Sequence, residues 1–163
     1  MLDEIQNDPA IYSLIRNDCY ENGIGVNFCD ELFEASEYIN PEKLVILKID
    51  AFYDTKRMAT PPKSPDYLII LRCPDNSYNL YVIELRNVSR TSGIPRADII
   101  EKFSTIVEDF FPKKFPNYFD TTSHRINNIS FYLITDPYNL LTNQKSTITY
   151  KTNRLRIAEW TTS

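Results

Sequence analysis

Charged residues interrupt two apolar segments in the stretch "SPDYLIILRCPDNSYNLYVIELRNVSR", residues 64–90. Asp66 precedes the first apolar segment, and Glu84 and Arg86 lie inside the second. Two neighbouring carboxylates suit Mg²⁺, which prefers oxygen ligands and stabilises negative charge on a phosphate under attack. A cation beside them would face the same phosphate. These residue types therefore indicate metal-assisted phosphodiester hydrolysis, provided that the fold brings the three side chains together.

A β-hairpin is the element that would bring them together. We predict strands over residues 66–73 and 78–87, joined by the turn "PDNS". This register places Asp66 opposite the segment that carries Glu84 and Arg86, and directly opposed residues have Cβ atoms roughly 4.5–5.5 Å apart. Side chains two residues apart on a strand share a face, so Glu84 and Arg86 point the same way. The alternative interpretation is the solvated face of an edge strand, where these charges carry no chemistry.

The rest of the chain supplies the elements that surround this hairpin. We predict helices over residues 3–22, 27–39 and 96–115, and strands over residues 43–53 and 129–136. The last of these strands is apolar almost throughout, which predicts that it is buried on both faces.

The clearest helix of the chain is the one over residues 96–115. Its predicted apolar stripe contains Ile99, Ile100, Phe103, Val107 and Phe110. We expect this stripe to pack on the sheet that contains Ile69, Ile83 and Leu85.

The order of these elements predicts an α/β fold. A mixed β-sheet is flanked by helices in the order α-α-β-β-β-α-β, followed by a C-terminal strand or hairpin. The fourth strand follows a helix, so a right-handed crossover lets it join the sheet in parallel. The 163 residues suffice for one sizeable core, and we predict a single domain over residues 1–163.

Composition excludes several classes of function. The net charge of −4 argues against a nonspecific polyanion binder. With only three glycines, the chain has no glycine-rich phosphate loop, and its three cysteines lack the spacing of a metal site. Reduced cysteines and the lack of a membrane-spanning apolar run predict a cytoplasmic protein with no membrane partner.

The motif Pro65-Asp66, followed after a hairpin by Glu84-Leu85-Arg86, resembles that of the PD-(D/E)xK nuclease superfamily. This superfamily includes type II restriction endonucleases and Holliday-junction resolvases. The element order over residues 27–136 is also similar: a helix, a three-stranded meander with the motif on its second and third strands, a crossover helix and a parallel strand. The resemblance implies a restriction-endonuclease-like core and a single nuclease-like domain.

The same resemblance assigns roles to the motif residues. Asp66 and Glu84 would bind Mg²⁺, with Mn²⁺ as a substitute, and Arg86 stands where the family usually has lysine. An arginine cannot release a proton, which argues against a role as a base but still allows it to bind phosphate. Lys48 and Lys102 are candidates for a relocated lysine.

Many members of the family add an acid from the first helix of the core. Glu31 and Glu34, in the predicted helix over residues 27–39, are the candidates for this metal ligand, and Asp50 is a third possibility. The alternative for each of them is an ordinary surface charge.

Two weakly basic segments are candidates for contact with nucleic acid. The segment over residues 86–96 offers Arg90 and Arg96, and the segment "YKTNRLR" offers Lys151 and Arg154. Each segment alone is also compatible with ordinary surface.

The resemblance predicts a metal-dependent endonuclease that hydrolyses DNA, possibly of the restriction type. Because one site cuts one strand, symmetric cutting of a duplex would need a homodimer. Two alternatives stay open: a catalytically inactive binding or assembly module with the same fold, favoured by Arg86 and the acidic net charge, and an RNA-cutting member of the superfamily.

Overall fold

The computed structural model describes residues 1–34, 37–56, 59–87, 95–120 and 122–135. The predicted C-terminal strand or hairpin lies outside these residues. The strands are β1 (Ile15–Arg16), β2 (Cys19–Glu21), β3 (Ile24–Val26), β4 (Phe33–Glu34), β5 (Tyr38–Ile39), β6 (Leu44–Lys48), β7 (Tyr67–Arg72), β8 (Tyr78–Arg86) and β9 (Ile126–Thr135). The helices are α1 (Leu2–Asn7), α2 (Pro9–Tyr12), α3 (Ile49–Thr55), α4 (Arg96–Thr105) and α5 (Pro116–Phe119), with a 3₁₀ turn at Asp30–Leu32 and a π-helical segment at Ile106–Lys114.

A mixed five-stranded sheet in the order β1-β6-β7-β8-β9 forms the centre of the fold. Strands β6, β7 and β8 form an antiparallel meander. The chain then crosses through α4 and returns as β9, which pairs with β8 in parallel. The parallel return of the chain was predicted from the helix that precedes this strand, and it is confirmed. The helices flank this sheet, as the α/β prediction requires.

The β7–β8 hairpin has the predicted register. Tyr67 pairs with Ile83 at one end, and Arg72 pairs with Tyr78 beside the turn. The turn is closed by Cys73 N–H, which donates to Ser77 O at 2.8 Å. The next residues beyond the Tyr67–Ile83 pair are Asp66 and Glu84, so the hairpin sets these two acids opposite each other.

The two faces of the sheet carry separate cores. Leu68, Ile70, Leu80 and Val82 belong to the first core, which also receives the buried residues of all five helices. Ile69, Ile83 and Leu85 belong to the second core, which is covered by β2, β3 and β5. Helix α4 therefore packs on the predicted sheet but on the face opposite to Ile69, Ile83 and Leu85, because side chains alternate along each strand.

The N-terminal half departs most from the predicted elements. The predicted helix over residues 3–22 ends early, because Asp8 caps a new helix through Ala10 N–H (2.8 Å) and β1 and β2 follow it. The predicted helix over residues 27–39 is wrong: the chain forms a 3₁₀ turn, β4 and β5 instead. Its apolar residues, such as Phe28 and Leu32, still contact the second core, so the same burial is achieved without a helix.

The strand predicted over residues 43–53 is split into β6 and α3. Ile49, Phe52 and Tyr53 follow the i, i+3, i+4 spacing of a helix face, and all three are buried in the first core. The apolar composition of this segment is therefore shared between a strand and a helix.

The helix predicted over residues 96–115 changes its winding after Thr105. In the π-helical segment Phe115 N–H donates to Phe110 O at 3.0 Å, a bond that spans five residues. The wider winding moves Ile106, Phe110 and Phe111 onto the buried face. Val107 is left 50% exposed and Ile100 47% exposed, so the predicted stripe is wrong at these two residues.

Strand β9 is the last strand of the sheet among the described residues, so one edge of it has no neighbouring described strand. Leu133 and Ile134 are its buried residues, whereas most of the strand is partly or fully exposed. The prediction that this strand is buried on both faces is therefore wrong. Within the described part of the chain, no helix combines the length and the apolar character needed to cross a membrane.

Candidate functional site

Asp66 directly precedes β7, and it is held there by contacts from β8 and from the first residue of α3. Its carboxylate Oδ2 accepts a hydrogen bond from Leu85 N–H of β8 at 2.6 Å, and its carbonyl oxygen accepts one from Ile49 N–H at 2.9 Å. The residue is 8% exposed. Burial raises the pKa of this carboxyl above its ordinary value, and the Leu85 N–H and the nearby cations Lys102 and Lys48 oppose the rise. Asp66 is thus a fixed carboxylate in a poorly solvated position.

Glu84 continues the inward series Leu80 and Val82 on β8, and it is 1% exposed. Its Oε1 accepts a hydrogen bond from Lys102 Nζ at 2.7 Å and lies 2.8 Å from Arg86 Nε. Its Oε2 is also buried, and it has no hydrogen-bond partner among the described residues. One carboxylate oxygen is thus paired with two cations, and the other is left available.

Asp66 and Glu84 influence each other electrostatically. Burial raises the pKa of Glu84, and the negative charge of Asp66 raises it further, whereas Lys102 and Arg86 lower it. Two acids of this kind gain stability from any additional cation placed between them.

Helix α4 delivers Lys102 to Glu84. The segment that leads into β7 is fastened to this helix, because Thr105 Oγ1 donates to Lys63 O at 2.6 Å and Lys63 Nζ bonds to Asp98 at 2.7 Å. The side chain of Lys102 is only 17% exposed. The crossover helix therefore supplies both the cover and the counter-charge of Glu84.

Asp66 also belongs to a second cluster of acids, with Glu21 and Asp50. One carboxylate oxygen each of Glu21, Asp50 and Asp66 lie within 4.8 Å of one another, close enough to share a metal ion. Glu21 ends β2 and Asp50 lies in the first turn of α3, so three separate elements meet at this point.

Lys48 occupies the space between two of these acids. Its Nζ forms ion pairs with Glu21 and with Asp50, the latter at 2.9 Å. The same ammonium lies 4.4 Å from the centroid of the Tyr67 ring. Burial raises the pKa of Tyr67 to about 12, with further contributions from Cys19, Asp18 and Asp50. Lys48 therefore neutralises part of the negative charge of Glu21 and Asp50.

The donor set suits a hard cation. Four carboxylates surround the end of the sheet: those of Glu21, Asp50, Asp66 and Glu84. Three cations face them: Lys48, Arg86 and Lys102. Oxygen ligands from carboxylates are what Mg²⁺ and Mn²⁺ bind, and a free buried oxygen of Glu84 is the kind of atom that an ion or a water satisfies.

The structure brings some of the predicted site residues together and separates others. Asp66, Glu84, Arg86 and the alternatives Asp50, Lys48 and Lys102 meet at one end of the sheet. Glu31 and Glu34 lie instead on the 3₁₀ turn and on β4. The group of described acids close enough to share an ion consists of Glu21, Asp50 and Asp66, and it does not include Glu31, Glu34 or Glu84.

The predicted contacts to nucleic acid are only partly within the described residues. Arg96 is exposed at the first residue of α4, the same helix that carries Lys102. Arg90, Lys151 and Arg154 lie outside the described residues.

Glu21 is the site residue that the sequence analysis missed. The prediction placed it inside a helix over residues 3–22, whereas it ends a strand of the β2–β3 hairpin. Asn22 and Gly23, with φ of 50° and 85°, form the two-residue turn of that hairpin. An Asn-Gly pair between two short apolar segments is a strong hairpin signal, and it could have located Glu21 on a strand.

Asp66→Asn should stabilise the protein at pH 7. Because burial raises the pKa of Asp66 from the ordinary 3.8, the folded state binds the proton more tightly than the unfolded state does. The stability of the wild-type protein therefore falls as pH rises from 3.8 through the raised pKa, and the amide escapes this loss. Urea denaturation in EDTA from pH 4 to pH 8 should show a gain for the variant that grows with pH.

Asp75→Asn is the control with the opposite sign. Hydrogen bonds from Ser77 lower the pKa of Asp75, so its ionised form favours the folded state, and the amide should bring no gain at pH 7. If the wild-type protein is more stable than Asp66→Asn at pH 7, the conclusion that burial raises the pKa of Asp66 is contradicted.

The site rests on its own geometry: a carboxylate pair on adjacent strands, a free buried oxygen, and cations from a strand and a helix. The chain matches no family model, no curated protein and no solved structure.

Proposed function

We propose that the protein is a metal-dependent nuclease with a restriction-endonuclease-like core of the PD-(D/E)xK type, and that it cuts DNA. The observation that carries the proposal is the buried Oε2 of Glu84, which no described residue hydrogen-bonds, on the strand next to Asp66. A buried carboxylate oxygen without a hydrogen-bond partner destabilises a protein by about 1–3 kcal/mol. A cation bound to this oxygen would remove that destabilisation.

The topology supports the same proposal. The resemblance implies a helix, a meander with the motif on its second and third strands, then a crossover helix and a parallel strand. The first helix is replaced by a 3₁₀ turn, β4 and β5, and the support comes from the elements after it. Strands β6, β7 and β8, helix α4 and strand β9 follow this order. Asp66 directly precedes the second strand of the meander, and Glu84 and Arg86 lie at the end of the third.

Each residue of the site has a role in this mechanism. Asp66 and the free oxygen of Glu84 would hold Mg²⁺ or Mn²⁺, and Asp50 lies near enough to Asp66 to contribute. A bound metal ion supplies a nucleophilic water at neutral pH and neutralises charge on the phosphate. Lys102 and Arg86 fix the carboxylate of Glu84 through its other oxygen, and they present positive charge to a phosphate at this end of the sheet.

Lys102 is the better candidate for the lysine that the motif lacks. The Nζ of Lys102 donates a hydrogen bond to Oε1 of Glu84 at 2.7 Å. The side chain of Lys102 is 17% exposed, and that of Arg86 is 32% exposed. Lys48 is paired with Glu21 and Asp50 instead. We therefore assign the positioning of Glu84 to Lys102 and an auxiliary contact to Arg86.

Replacement of the two cations should separate these roles. Lys102→Met should lower kcat about 100-fold, because Glu84 loses its short hydrogen bond and its orientation. Arg86→Lys should retain activity within about tenfold, because a point charge remains beside Glu84. Steady-state cleavage kinetics, with the metal concentration at half-saturation as a second readout, would measure both. Equal losses in the two variants would contradict the assignment.

The test of the proposed function is a cleavage assay on the purified protein. Supercoiled plasmid, a linear duplex, single-stranded DNA and RNA are each incubated with Mg²⁺, with Mn²⁺ and with EDTA. We expect DNA to be cut with either metal and to stay intact in EDTA. Cutting of RNA alone would transfer the proposal to RNA, and no cutting of any substrate would overturn it.

The inactive binding module is the second candidate, and one observation favours it. Glu84 is already paired with two cations and Lys48 with two acids, so much of the acidic charge is neutralised within the protein. A thermal denaturation series with Mn²⁺ distinguishes the two candidates. A metal-binding site should raise Tm in wild type and not in Asp66→Asn. A Tm independent of Mn²⁺, together with no cleavage, would favour the inactive module.

A further inference from the structure

A cleft on the face of the helices lies apart from the acidic site. It is lined by Ala10, Phe52, Tyr53, Lys56, Lys113, Lys114 and Phe115, and its volume is about 470 Å³. Sites for small ligands have volumes of roughly 300–1,000 Å³. Asp50 lies in the first turn of α3, and Lys56 directly follows the end of this helix. They are six residues apart, which corresponds to about 9 Å along the helix axis at 1.5 Å per residue.

The cleft concentrates positive charge on a protein whose net charge is −4. Three ammonium groups line it, those of Lys56, Lys113 and Lys114. The acid that faces them is Asp109, whose oxygens lie 3.7 Å from Lys113 Nζ and 3.7 Å from Lys114 Nζ. Among the described residues that line or face the cleft, three positive charges against the carboxylate of Asp109 leave an excess of two, which matches the charge of roughly −1.5 to −2 on a phosphate monoester at pH 7.

The lysines are held in place around the cleft. Lys56 Nζ lies 4.8 Å from the centroid of the Phe52 ring, so it is directed across the cleft floor. Asp109 is fixed by a hydrogen bond from Tyr53 Oη at 2.9 Å, and it orients Lys113 and Lys114 in turn. The side chain of Lys113 remains 65% exposed, which leaves its ammonium accessible to a ligand.

The floor of the cleft is apolar. Phe52 and Phe115 form an edge-to-face pair with centroids 5.4 Å apart, and the exposed Ala10 completes one wall. Phe52 and Phe115 are only 5% and 6% exposed, so a small part of this apolar surface reaches the cleft. That part still offers the nucleoside of a nucleotide an apolar contact that a bare inorganic anion cannot use.

Lysines in the last turn of a helix also complement the helix dipole, an effect of about 0.3–1 kcal/mol at the surface. That role applies to Lys113 and Lys114 and needs neither a cleft nor an apolar floor. It predicts a change in stability on substitution and no change in ligand binding.

We propose that this cleft binds the 5′-phosphate of a nucleotide, with the three lysines around the phosphate and the Phe52–Phe115 floor under the nucleoside. The proposal goes beyond the nuclease proposal and does not depend on it, since no residue of the cleft belongs to the acidic site. The phosphate belongs either to a free mononucleotide or to the 5′ end of a strand, which present the same chemical group.

Calorimetric titration of the full chain in EDTA tests the proposal without any contribution from a metal site. The probes are deoxyadenosine 5′-monophosphate, deoxyadenosine, inorganic phosphate, and an oligothymidylate with and without a 5′-phosphate. We expect the mononucleotide to bind saturably, and deoxyadenosine and inorganic phosphate to bind at least tenfold more weakly. Tighter binding of the 5′-phosphorylated oligonucleotide would assign the phosphate to a strand end, and tighter binding of the mononucleotide would assign it to a free nucleotide.

The variant Lys113→Gln/Lys114→Gln should weaken binding of the preferred probe at least tenfold, and Lys56→Gln should weaken it severalfold. The matched control is Arg72→Gln/Arg125→Gln, which removes two exposed positive charges beside the β7–β8 turn. This control should change Kd less than twofold.

Three outcomes would overturn the proposal. They are no saturable binding of the mononucleotide or of the phosphorylated oligonucleotide, an equal loss of binding in the control, and a lysine variant that loses stability but keeps its affinity. Because the titration is done in EDTA, a failed cleavage assay does not affect its result.

Discussion

Asp66→Asn should reduce DNA cleavage about 10³-fold or more. Each substitution of a metal-binding carboxylate removes one negative charge and one oxygen ligand, and the metal contributes several kcal/mol to transition-state stabilisation. Every 1.36 kcal/mol corresponds to a tenfold change in rate. Glu84→Gln should have a comparable effect, because it removes the free buried oxygen and the charge that holds Lys102. Single-turnover cleavage at saturating Mn²⁺ would measure both rates.

Glu31→Gln is the matched control for these two variants. Glu31 is an acid that the resemblance also suggested, but it lies on the 3₁₀ turn, away from Asp66 and its neighbours. We expect its cleavage rate to stay within about threefold of the wild-type rate. A larger loss in Glu31→Gln than in Asp66→Asn would place the metal elsewhere and would contradict the site.

Phe110→Ala should destabilise the protein by about 3–5 kcal/mol, the usual cost of emptying a buried aromatic position. Phe110 is 0% exposed, and its ring contacts those of Phe52, Phe115 and Phe119 at centroid distances of 5.5, 4.9 and 5.9 Å. For a chain of this length, the loss corresponds to a decrease in Tm of roughly 10 °C. Denaturation by urea and by heat, in EDTA, would measure it.

Val107→Ala tests the same segment from its outer face. Val107 is 50% exposed in the same π-helical segment, so Val107→Ala should lower the free energy of unfolding by less than about 0.5 kcal/mol. The helical stripe predicted from the sequence includes Val107 and would give it a core-like cost. Similar losses for the two variants would therefore contradict the π-helical winding.

The β7–β8 hairpin could be predicted because all of its signals are local. The turn "PDNS" and the alternation after it fix the register, and the register alone sets Asp66 opposite Glu84. Lys102 and Asp50 could be named as candidates, but their contacts depend on how α3 and α4 pack, which no short segment specifies.

The failed predictions have separate physical causes. Apolar residues spaced three or four apart fit a helix, and those over residues 27–39 reach the second core equally well from a 3₁₀ turn and two short strands. The π-helical winding after Thr105 adds about one residue to each turn, so the positions that follow change face, and Pro112 inside the segment is a signal that helical periodicity does not take into account. Glu21 was missed because helical periodicity was given more weight than the Asn22-Gly23 turn.

The contact between Lys102 and Glu84 has a consequence for the order of folding. The β7–β8 hairpin joins residues close in sequence, so it can form within about 1–10 μs, and the two acids then stand together in water, where their repulsion is screened. We expect helix α4 to dock later, because the return of β9 requires a longer crossover. The docking helix removes solvent from Glu84 and provides the ammonium of Lys102 in the same step. We therefore expect Glu84 to be buried together with Lys102, beside Arg86 of the same strand, and a chain that lacks Lys102 to fold more slowly at the docking of α4.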